Sequence, residues 1–493
     1  MGNYLAFDLG ASSGRAIIGS LNKGKLSLQE VHRFGNGPVE KENSLYWDYS
    51  ALENELITGL EKALATGVEL DGISIDTWGV DYILFDRETR LMRRQPYHYR
   101  DRRTLAAAEE LWQTRISKDE LYRATGIQCM TLNSVYQLYA HLKEHPEDME
   151  NAQFLPIPDA LALTLGGEFT AEYTHCSTFN LLDPASRNWH WEVIDRLGLP
   201  RSIFPEIVPP CSPNGKLKPS LCEKFNTPPI PIYKCGSHDT ASAVLAVPAP
   251  PQGQWAYLSA GTWALLGAEI PQPVINTASQ DANITNEGGV GDSIRFLTNI
   301  MGSWLFQELR RVWNSSGKPC SFGDIENMAR REPMCKYFID PNCPDFASPG
   351  DMPENIRSFC RRTGQCGQLT DSETARTVYD SLALYFRCKL EMLESLLNVK
   401  YQCLNIVGGG TKDKFLMQLA ASATGRRVIT GPVEATAAGN ILAQAIASGE
   451  LADISAARQV VRDSFELEIF DPDPEQVKCF NAALARFQQV TGK

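Results

Sequence analysis

The sequence lacks the features that mark several classes of protein. It contains 13 cysteines but no CxxC pair and no regular cysteine spacing, which argues against a zinc site or a disulfide framework. No apolar segment is long enough to span a bilayer, and the first residues do not form a basic and then apolar leader. The net charge of −12 argues against nucleic acid or an anionic membrane as a partner. We therefore expect a cytoplasmic protein with reduced thiols, in which only the close pair Cys360 and Cys366 leaves a redox role open.

The composition is that of a globular protein, and the chain is too long for a single core. With 493 residues, 43% hydrophobic and 22% charged, the chain predicts two or more domains. The run Pro248–Pro251 near mid-chain is typical of a connector. We predict two domains, residues 1–247 and 248–493, in a monomer or small homo-oligomer.

The first 19 residues predict a strand, a tight turn and a returning strand. Asp8 lies at the end of the first strand, where a carboxylate can hold a hydrated Mg²⁺ ion. Glycines in the turn permit positive φ, so that successive N–H groups can converge on an anion. The turn offers a phosphate N–H groups, hydroxyls and a guanidinium, from Gly10, Ala11, Ser12, Ser13, Gly14 and Arg15.

The same pattern returns after the connector. Residues 255–267 again predict a strand, a Gly/Thr turn at Gly261 and Thr262, and a second strand. Two such hairpins, one opening each half, indicate an internal duplication in which two phosphate-binding turns face each other across a cleft.

Polar residues follow three further predicted strands. The strands at 72–76 and 232–235 run into Thr77–Asp81 and Gly236–Asp239, and the strand at 403–407 ends in three glycines. Loops at strand ends are where α/β proteins keep their sites. Capping boxes at Ser50/Glu53 and Ser117/Glu120 predict two helix starts, whereas residues 331–369 predict mostly loop.

Three motifs suggest other chemistries. Gly19–Lys25 matches most of a P-loop, but it joins two strands and indicates a hairpin turn. Gly10–Gly14 matches the nucleophile elbow of α/β-hydrolases, with Ser12 as nucleophile, but that elbow needs a following helix. His141 and His145 fit a reversed zinc-protease pattern; an exposed, frayed helix end is the alternative interpretation that we favour.

Four of these stretches, taken in order, resemble the FGGY carbohydrate kinases of the actin/hexokinase superfamily. The matching stretches are Asp8–Arg15, Ser259–Thr262, Val407–Gly410 and Gly431–Asn440. The resemblance covers essentially the whole chain. It implies an α/β fold with two RNase H-like (actin/hexokinase-type ATPase) domains flanking a central cleft, the first mainly binding sugar and the second mainly ATP.

Within the family, four stretches resemble the members that phosphorylate L-rhamnulose. These are Ile75–Asp81, Ser237–Val244, Asn283–Gly289 and Asn299–Gly302. The resemblance thus implies ATP-dependent phosphorylation of L-rhamnulose at its 1-hydroxyl, in L-rhamnose breakdown. Other ketoses, L-fuculose and L-xylulose, stay open as substrates, and so does a non-catalytic sugar or nucleotide sensor.

The resemblance also implies roles for individual residues. Asp239 would be the general base, although the residues alone also allow it to be a helix cap. Mg²⁺ would be held by Asp8 and Asp239, largely through water. The sugar would meet Gly79, Asp81, His238, Asp239, Thr240 and Asn299. The nucleotide would meet Ala11, Ser12, Ser13, Gly14, Arg15, Thr262, Gln307, Gly409 and Gly410. One departure is that Lys412–Lys414 stands where many relatives place an adenine-binding Asn.

Overall fold

A computed structural model describes residues 2–250 and 253–492. Pro251 of the predicted connector lies outside the described residues, as do the terminal residues 1 and 493 of the two predicted domains.

Strands and helices alternate along the chain. The strands are β1 Gly2–Leu9, β2 Ser13–Asn22, β3 Lys25–Gly35, β4 Pro38–Lys41, β5 Ser44–Trp47, β6 Gly72–Thr77, β7 Tyr82–Asp86, β8 Ala152–Pro156, β9 Ala171–Glu172, β10 Leu182–Asp183, β11 Asn188–Trp189, β12 Ile207–Val208, β13 Ser212–Lys216, β14 Pro231–Lys234, β15 Trp255–Ala260, β16 Trp263–Ile270, β17 Thr285–Gly288, β18 Ile294–Met301, β19 Cys403–Val407, β20 Arg427–Thr430 and β21 Ile469–Phe470. The α-helices are α1 Tyr49–Ala65, α2 Arg103–Thr114, α3 Lys118–Thr125, α4 Ser134–Glu144, α5 Ile157–Leu165, α6 Tyr173–Cys176, α7 Trp191–Leu197, α8 Pro219–Phe225, α9 Asp239–Leu245, α10 Thr277–Asp281, α11 Trp304–Ser315, α12 Phe322–Arg330, α13 Met352–Arg362, α14 Asp371–Leu397, α15 Lys414–Thr424, α16 Ala435–Ala447, α17 Ile454–Ser464 and α18 Pro474–Thr491. Short 3₁₀ turns occupy Pro146–Met149, Ser177–Phe179, Arg201–Ile203, Pro344–Phe346 and Gly409–Lys412.

The chain divides into two compact units, and neither is one continuous stretch. Unit 1 consists of Met1–Pro248, Glu269–Phe296 and Ala435–Phe465. Unit 2 consists of Ala249–Ala268, Leu297–Glu434 and Glu466–Lys493. Each unit contains a mixed sheet with helices, so the predicted α/β class is confirmed.

The sheet of unit 1 has the order β13-β14-β6-β1-β2-β3. Strand β1 pairs antiparallel with β2, as the opening pattern predicts, and parallel with β6. Nearly all of β1 and β6 is buried, which matches their continuous apolar sequences and a sheet covered on both faces. Gly19–Lys25 forms the hairpin from β2 to β3, so the P-loop interpretation is excluded.

Helix α1 covers the core of unit 1 with Leu52, Leu56 and Leu60. The predicted capping box at Ser50 and Glu53 is wrong. Asp48 is the N-cap and accepts from the Ala51 N–H, while Glu53 accepts from Thr164 Oγ1. Aspartate is as strong a cap as serine, and the helix begins two residues earlier than predicted. The capping box at Ser117 and Glu120 is confirmed.

Helix α16 belongs to unit 1 although it follows most of unit 2 in sequence. A Cβ at Gly439 would lie 1.8 Å from the backbone oxygen of Ser242 in α9, so only glycine permits this approach. Asn440 and Gln444 bond to Asp76 and to the Leu5 carbonyl. These contacts fasten α16 to the sheet.

Helix α4 corrects the interpretation of the His141/His145 pattern. His141 is buried and pairs with Tyr82 and Asp148 instead of lying on an exposed, frayed end. Among the described residues, no group of three or more His, Cys, Asp or Glu side chains is arranged to hold a metal ion.

In unit 2 the strand order runs β18-β16-β15-β19-β20-β21. Strand β15 pairs antiparallel with β16 and parallel with β19, the same arrangement as β1 with β2 and β6. Helix α13 lies in the stretch that we predict as loop; its buried Ile356, Phe359 and Cys360 form the apolar face that the prediction misses. Within residues 2–250 and 253–492, no helix is both long and apolar enough to cross a membrane.

Candidate active site

Three carboxylates of unit 1 come from neighbouring strand ends. Asp8 and Asp76 lie opposite each other in the parallel pair β1 and β6. Asp239 follows β14, and the Thr77 N–H donates to the Ser237 carbonyl at 2.9 Å, which ties that loop to the end of β6. Since parallel strands end at the same edge of a sheet, Asp8 and Asp239 lie within electrostatic reach of each other.

Arg15 pairs with Asp8 across the first hairpin. Its Nη2 lies 2.5 Å from Asp8 Oδ2, and the two residues are direct partners in the β1–β2 register. Burial raises the pKa of Asp8; Arg15 opposes this rise, and Asp239 adds to it. The proposed metal and phosphate residues therefore already interact electrostatically.

The turn itself differs from the expectation in one respect. Gly10 donates to the Ser13 carbonyl at 2.9 Å, but neither Gly10 nor Gly14 takes a positive φ. Gly14 is needed for packing, because a Cβ there would lie 2.2 Å from the Phe34 ring. Ser12 is exposed and is followed by strand β2, so the helix that a hydrolase elbow requires is absent from this place.

Asp76 is a site residue that our sequence reasoning misses. It is fully buried, Asn440 Nδ2 donates to its Oδ2 at 2.6 Å, and its Oδ1 has no hydrogen-bond partner among the described residues. Burial and the neighbouring Asp8 raise its pKa well above the ordinary value. The sequence signal that points to Asp8, an acid at the end of an otherwise apolar strand, is also present at Asp76.

Asp239 is the first residue of α9, and His238 is the N-cap, so the helix-cap alternative for Asp239 is wrong. The Asp239 side chain is 31% exposed, and Thr240 Oγ1 donates to its Oδ1 at 3.1 Å. His238 Nε2 lies 3.5 Å from the same oxygen. Asp239 thus combines access from solvent with neighbours that orient its carboxylate.

A buried glutamate holds the loop before Asp239. Glu172 Oε2 accepts from the Ser237 N–H at 3.1 Å and from Ser237 Oγ at 2.6 Å. The His238 N–H faces Thr174 Oγ1 at 3.4 Å, and Thr174 in turn donates to Glu172. This network fixes the backbone of the loop that presents His238 and Asp239.

The Gly79–Asp81 loop is strained. The Asp81 N–H donates to the Gly79 carbonyl at 3.0 Å, which makes a γ-turn centred on Val80, and Val80 has a φ of 69°. A β-branched residue with positive φ is rare and costs free energy, and such strain concentrates at functional sites. A Cβ at Gly79 would lie 3.2 Å from His238 Nε2, so the loop lies against that ring.

Asp81 holds this loop from inside the unit. Its oxygens accept from Trp47 Nε1 at 2.6 Å, Trp78 Nε1 at 2.9 Å and Gln137 Nε2 at 2.9 Å. Burial raises the pKa of Asp81 to about 6 despite these donors. With both oxygens occupied and no exposed surface, Asp81 is suited to support Gly79, and its predicted direct contact with sugar stays a prediction.

Five site residues are predicted in unit 2. Four of them, Thr262, Gln307, Gly409 and Gly410, lie around the turn at Gly261 and Thr262. Ser303, the N-cap of α11, donates from N and Oγ to the Gly261 carbonyl at 3.1 and 2.8 Å, and it accepts from Gln307 Nε2 at 3.0 Å. The Gly302 N–H donates to the carbonyl of Thr262 at 3.1 Å. Asn299 lies three residues before Gly302 on β18, with its carbonyl accepting from Asn342.

The three glycines after β19 lie against this turn. Gly408 has a φ of 92°, and a Cβ there would lie 3.0 Å from the Ala260 carbonyl oxygen. A Cβ at Gly410 would lie 2.7 Å from the Ala260 Cβ, whereas nothing lies within 4 Å of one at Gly409. Gly409 therefore offers open backbone between two glycines that lie against Ala260, as a ligand lying flat would need.

The stretch that departs from the family pattern is occupied by structural contacts. Asp413 is the N-cap of α15 and accepts from Tyr379 Oη at 2.7 Å, and Lys414 pairs with Glu468 at 2.6 Å. All 13 cysteines, Cys360 and Cys366 included, are free thiols.

Comparisons with known proteins agree on one family. Residues 3–246 match the N-terminal domain, and residues 256–448 the C-terminal domain, of the FGGY family of carbohydrate kinases. The chain is 40% identical to the rhamnulokinase of Enterococcus faecalis over 96% of this chain and 94% of that protein. It is 38% identical to the rhamnulokinase of Bacteroides thetaiotaomicron over 99% of both.

Solved structures support the fold. The xylulose kinase of Lactobacillus acidophilus, solved with a ligand, superposes with a TM-score of 0.81 at 16% identity, covering 99% of this chain and 98% of that one. Plasmodium falciparum glycerol kinase with ADP gives 0.79 at 16% identity, covering 100% of this chain and 98% of that one. The predicted actin/hexokinase-type fold is confirmed.

Proposed function

Since this chain belongs to the FGGY family of carbohydrate kinases, we propose that it transfers the γ-phosphoryl group of ATP to the 1-hydroxyl of L-rhamnulose. The identity to proteins named rhamnulokinase extends over nearly the whole length of both chains, which supports this sugar. The reaction belongs to L-rhamnose catabolism, and we place the enzyme in the cytoplasm, as a monomer or small homo-oligomer.

The observation that supports the chemistry most directly is the position of Asp239. Its carboxylate is 31% exposed at the start of α9 and is oriented by Thr240 and His238. An alcohol is a poor nucleophile near neutral pH, and a carboxylate within hydrogen-bond reach takes its proton. Asp239 removes the proton of the 1-hydroxyl while that oxygen bonds to the γ-phosphorus and the bond to the ADP oxygen breaks.

Sugar recognition falls to residues around Asp239. Gly79 lies against the His238 ring, where a Cβ would come within 3.2 Å of Nε2, and His238 and Thr240 meet the hydroxyls of the sugar. Asn299 adds a contact from β18. Polar groups that lose their partner when a hydroxyl is missing or inverted discriminate strongly between sugars.

Each unit has its own residues that we propose for nucleotide contacts. In unit 1, the N–H groups and hydroxyls of Ala11–Gly14 and the Arg15 guanidinium bind phosphate oxygens, and Arg15 neutralises charge that develops during transfer. In unit 2, Thr262 binds phosphate, Gly409 and Gly410 lie along the adenine, and Gln307 adds a second contact.

The residues fit a hydrated Mg²⁺ ion. Carboxylate oxygens are the ligands that this ion prefers, and Asp8 and Asp239 supply them. Since no group of three such side chains among the described residues is arranged to hold an ion directly, water would complete its shell. The unpartnered, buried Oδ1 of Asp76 is a further acceptor at the same strand ends. We propose that Asp8 and Asp239 hold the ion largely through water. When bound, it neutralises charge on the β- and γ-phosphates.

The test is ADP release with Mg-ATP and a panel of L-rhamnulose, L-fuculose and L-xylulose, with the product identified by NMR. We expect the highest kcat/KM for L-rhamnulose and a phosphate on its 1-oxygen. A higher kcat/KM for another ketose would replace the sugar but keep the kinase. No sugar-dependent ADP release would favour the sensor.

A further inference from the structure

A fully buried arginine contacts the ring of His238 on its Nδ1 side. Arg295, in β18, has no exposed surface. Its Nη2 lies 3.0 Å from His238 Nδ1, and its Nε donates to the Gly288 carbonyl at 2.8 Å. Both residues belong to unit 1. The phosphoryl transfer described above does not use this cation.

Glu287 holds the Arg295 guanidinium in place. Its Oε2 lies 3.2 Å from Arg295 Nη2, and its side chain is buried. Burial by itself raises the pKa of Glu287, but the Arg295 guanidinium is the strongest of the groups that oppose this rise, and the net pKa lies below the ordinary value. Glu287 is therefore ionised and forms a buried ion pair, in which the charge of Arg295 is balanced.

The contact determines which ring nitrogen of His238 carries the proton. A guanidinium has donors and no acceptor, so the Nδ1 that faces it must accept. Glu287 Oε2 also lies 3.5 Å from Nδ1, but a proton on Nδ1 would then point at the Arg295 N–H group, which is closer. The ring proton consequently belongs on Nε2.

The Nε2 side of the ring faces the residues proposed to meet the sugar. Nε2 lies 3.5 Å from Asp239 Oδ1, and a Cβ at Gly79 would lie 3.2 Å from Nε2, so the absence of a side chain there keeps this side of the ring from being crowded. The ring centre of His175 lies 6.2 Å from that of His238, and the His238 backbone N–H faces Thr174 Oγ1.

We infer that Arg295 is a positioning residue that fixes the tautomer of His238 with the proton on Nε2. His238 thereby offers an N–H donor to a hydroxyl oxygen of the ketose, next to the base Asp239. The identity of that acceptor rests on the proposed function. The tautomer is a property of the protein without substrate.

The first measurement uses the full chain labelled with ¹⁵N-histidine and no ligand. Long-range ¹H–¹⁵N spectra distinguish a protonated from an unprotonated ring nitrogen, and a His238→Gln spectrum identifies the His238 signals among the seven histidines. We expect Nε2 protonated and Nδ1 unprotonated. A His238 signal with its proton on Nδ1 would overturn the inference, whatever sugar the enzyme accepts.

Variants of Arg295 then test its effect on the reaction. In Arg295→Met, we expect the His238 tautomers to mix and KM for the ketose to rise about tenfold, as for one lost hydrogen bond, with KM for ATP unchanged. Arg295→Lys keeps a donor and should restore the single tautomer and most of the ketose KM. If Arg295→Met does not fold, the double variant Arg295→Met/Glu287→Gln removes the unpaired charge and takes its place.

The matched control is Arg376→Met, which breaks another buried arginine–carboxylate pair, Arg376 with Asp380 at 2.8 Å in unit 2. It should lower stability and leave the His238 spectrum and the ketose KM unchanged. An Arg295→Met enzyme with the wild-type His238 spectrum and ketose KM would overturn the inference. If the wild type gives the expected His238 spectrum but does not turn over L-rhamnulose, the proposed function is rejected and the inference on the tautomer stands.

Discussion

Both units contain the same strand–turn–strand hairpin, but the side chains of the two hairpins differ. We compare the second cross-strand pair of residues, counted from the turn. In unit 1 this pair is Asp8 and Arg15, and in unit 2 it is Ser259 and Leu265. The first turn is surrounded by buried carboxylates whose pKa values rise, and the second by backbone carbonyls and glycines.

This difference separates two tasks that one phosphotransferase needs. Charged groups next to the turn of unit 1 can move a proton and neutralise developing charge, and both depend on ionisation. The uncharged turn of unit 2 can hold a nucleotide by shape and N–H donors. Variants of the charged residues of unit 1 should therefore mainly alter the chemical step, and variants of the turn and glycine loop of unit 2 should mainly alter KM for ATP.

The largest effect is expected at Asp239. Asp239→Asn removes the base and should lower kcat by about 10²–10⁴-fold with little change in KM for ATP. The variant of unit 2 that we compare with it, Thr262→Val, should instead raise KM for ATP by about tenfold. ADP release with L-rhamnulose measures both. Equal losses of kcat in the two variants would contradict the division of tasks.

The next effect is expected at Arg15. Arg15→Met removes the cation proposed to act on transferring charge and should lower kcat by about 10²-fold. The control is Arg33→Met, because Arg33 is the cross-strand neighbour of Arg15, more exposed and paired with Glu30. A similar loss in both variants would show that the general positive potential matters and not Arg15 itself.

Asp81 should make the stability of the protein depend on pH. Its pKa is raised to about 6, so the folded state binds the proton more tightly than the unfolded chain, whose ordinary value is 3.8. As the pH rises from 3.8 through 6, the wild type should lose about 3 kcal/mol relative to Asp81→Asn, and no more above that. Urea unfolding of both proteins across this range measures the difference.

Asp86 supplies the control of opposite sign. Hydrogen bonds from Thr89 lower its pKa, so the stability that it adds is present above pH 3.8 and is lost as the pH falls. Asp86→Asn should accordingly lower the stability by a nearly constant amount between pH 4 and 6, so that its curve stays close to parallel with that of the wild type. Curves for the wild type and Asp81→Asn that stay parallel would refute the proposed titration of Asp81.

The smallest effect is expected in the glycine loop of unit 2. Gly408→Ala forces a Cβ into a positive φ beside Ala260 and should cost about 1–3 kcal/mol of unfolding free energy, while raising KM for ATP only. Gly409→Ala meets open space and should leave stability unchanged. Thermal unfolding and KM values check both variants; destabilisation by Gly409→Ala would mean that the loop packs differently.

Local patterns predicted most of the elements that hold the site. Both hairpins, β6, β14, α9 and β19 follow from apolar runs that end at glycine or acid. The errors have local causes as well. Asp48 caps α1 in place of Ser50. The sequence pattern does not predict α13 because its apolar residues alternate with charged ones over only three turns.

By itself the sequence determined the strand–turn–strand units, their order and the residue types at the strand ends, because backbone geometry and hydrophobic periodicity act over a few residues. Only the tertiary structure decided what those residues face. In the folded chain α16 belongs to unit 1, Asp76 lies opposite Asp8, and Arg295 contacts both Glu287 and His238. Most of these contacts join residues tens to hundreds of positions apart, and the burial that shifts their pKa values exists only after the chain has packed.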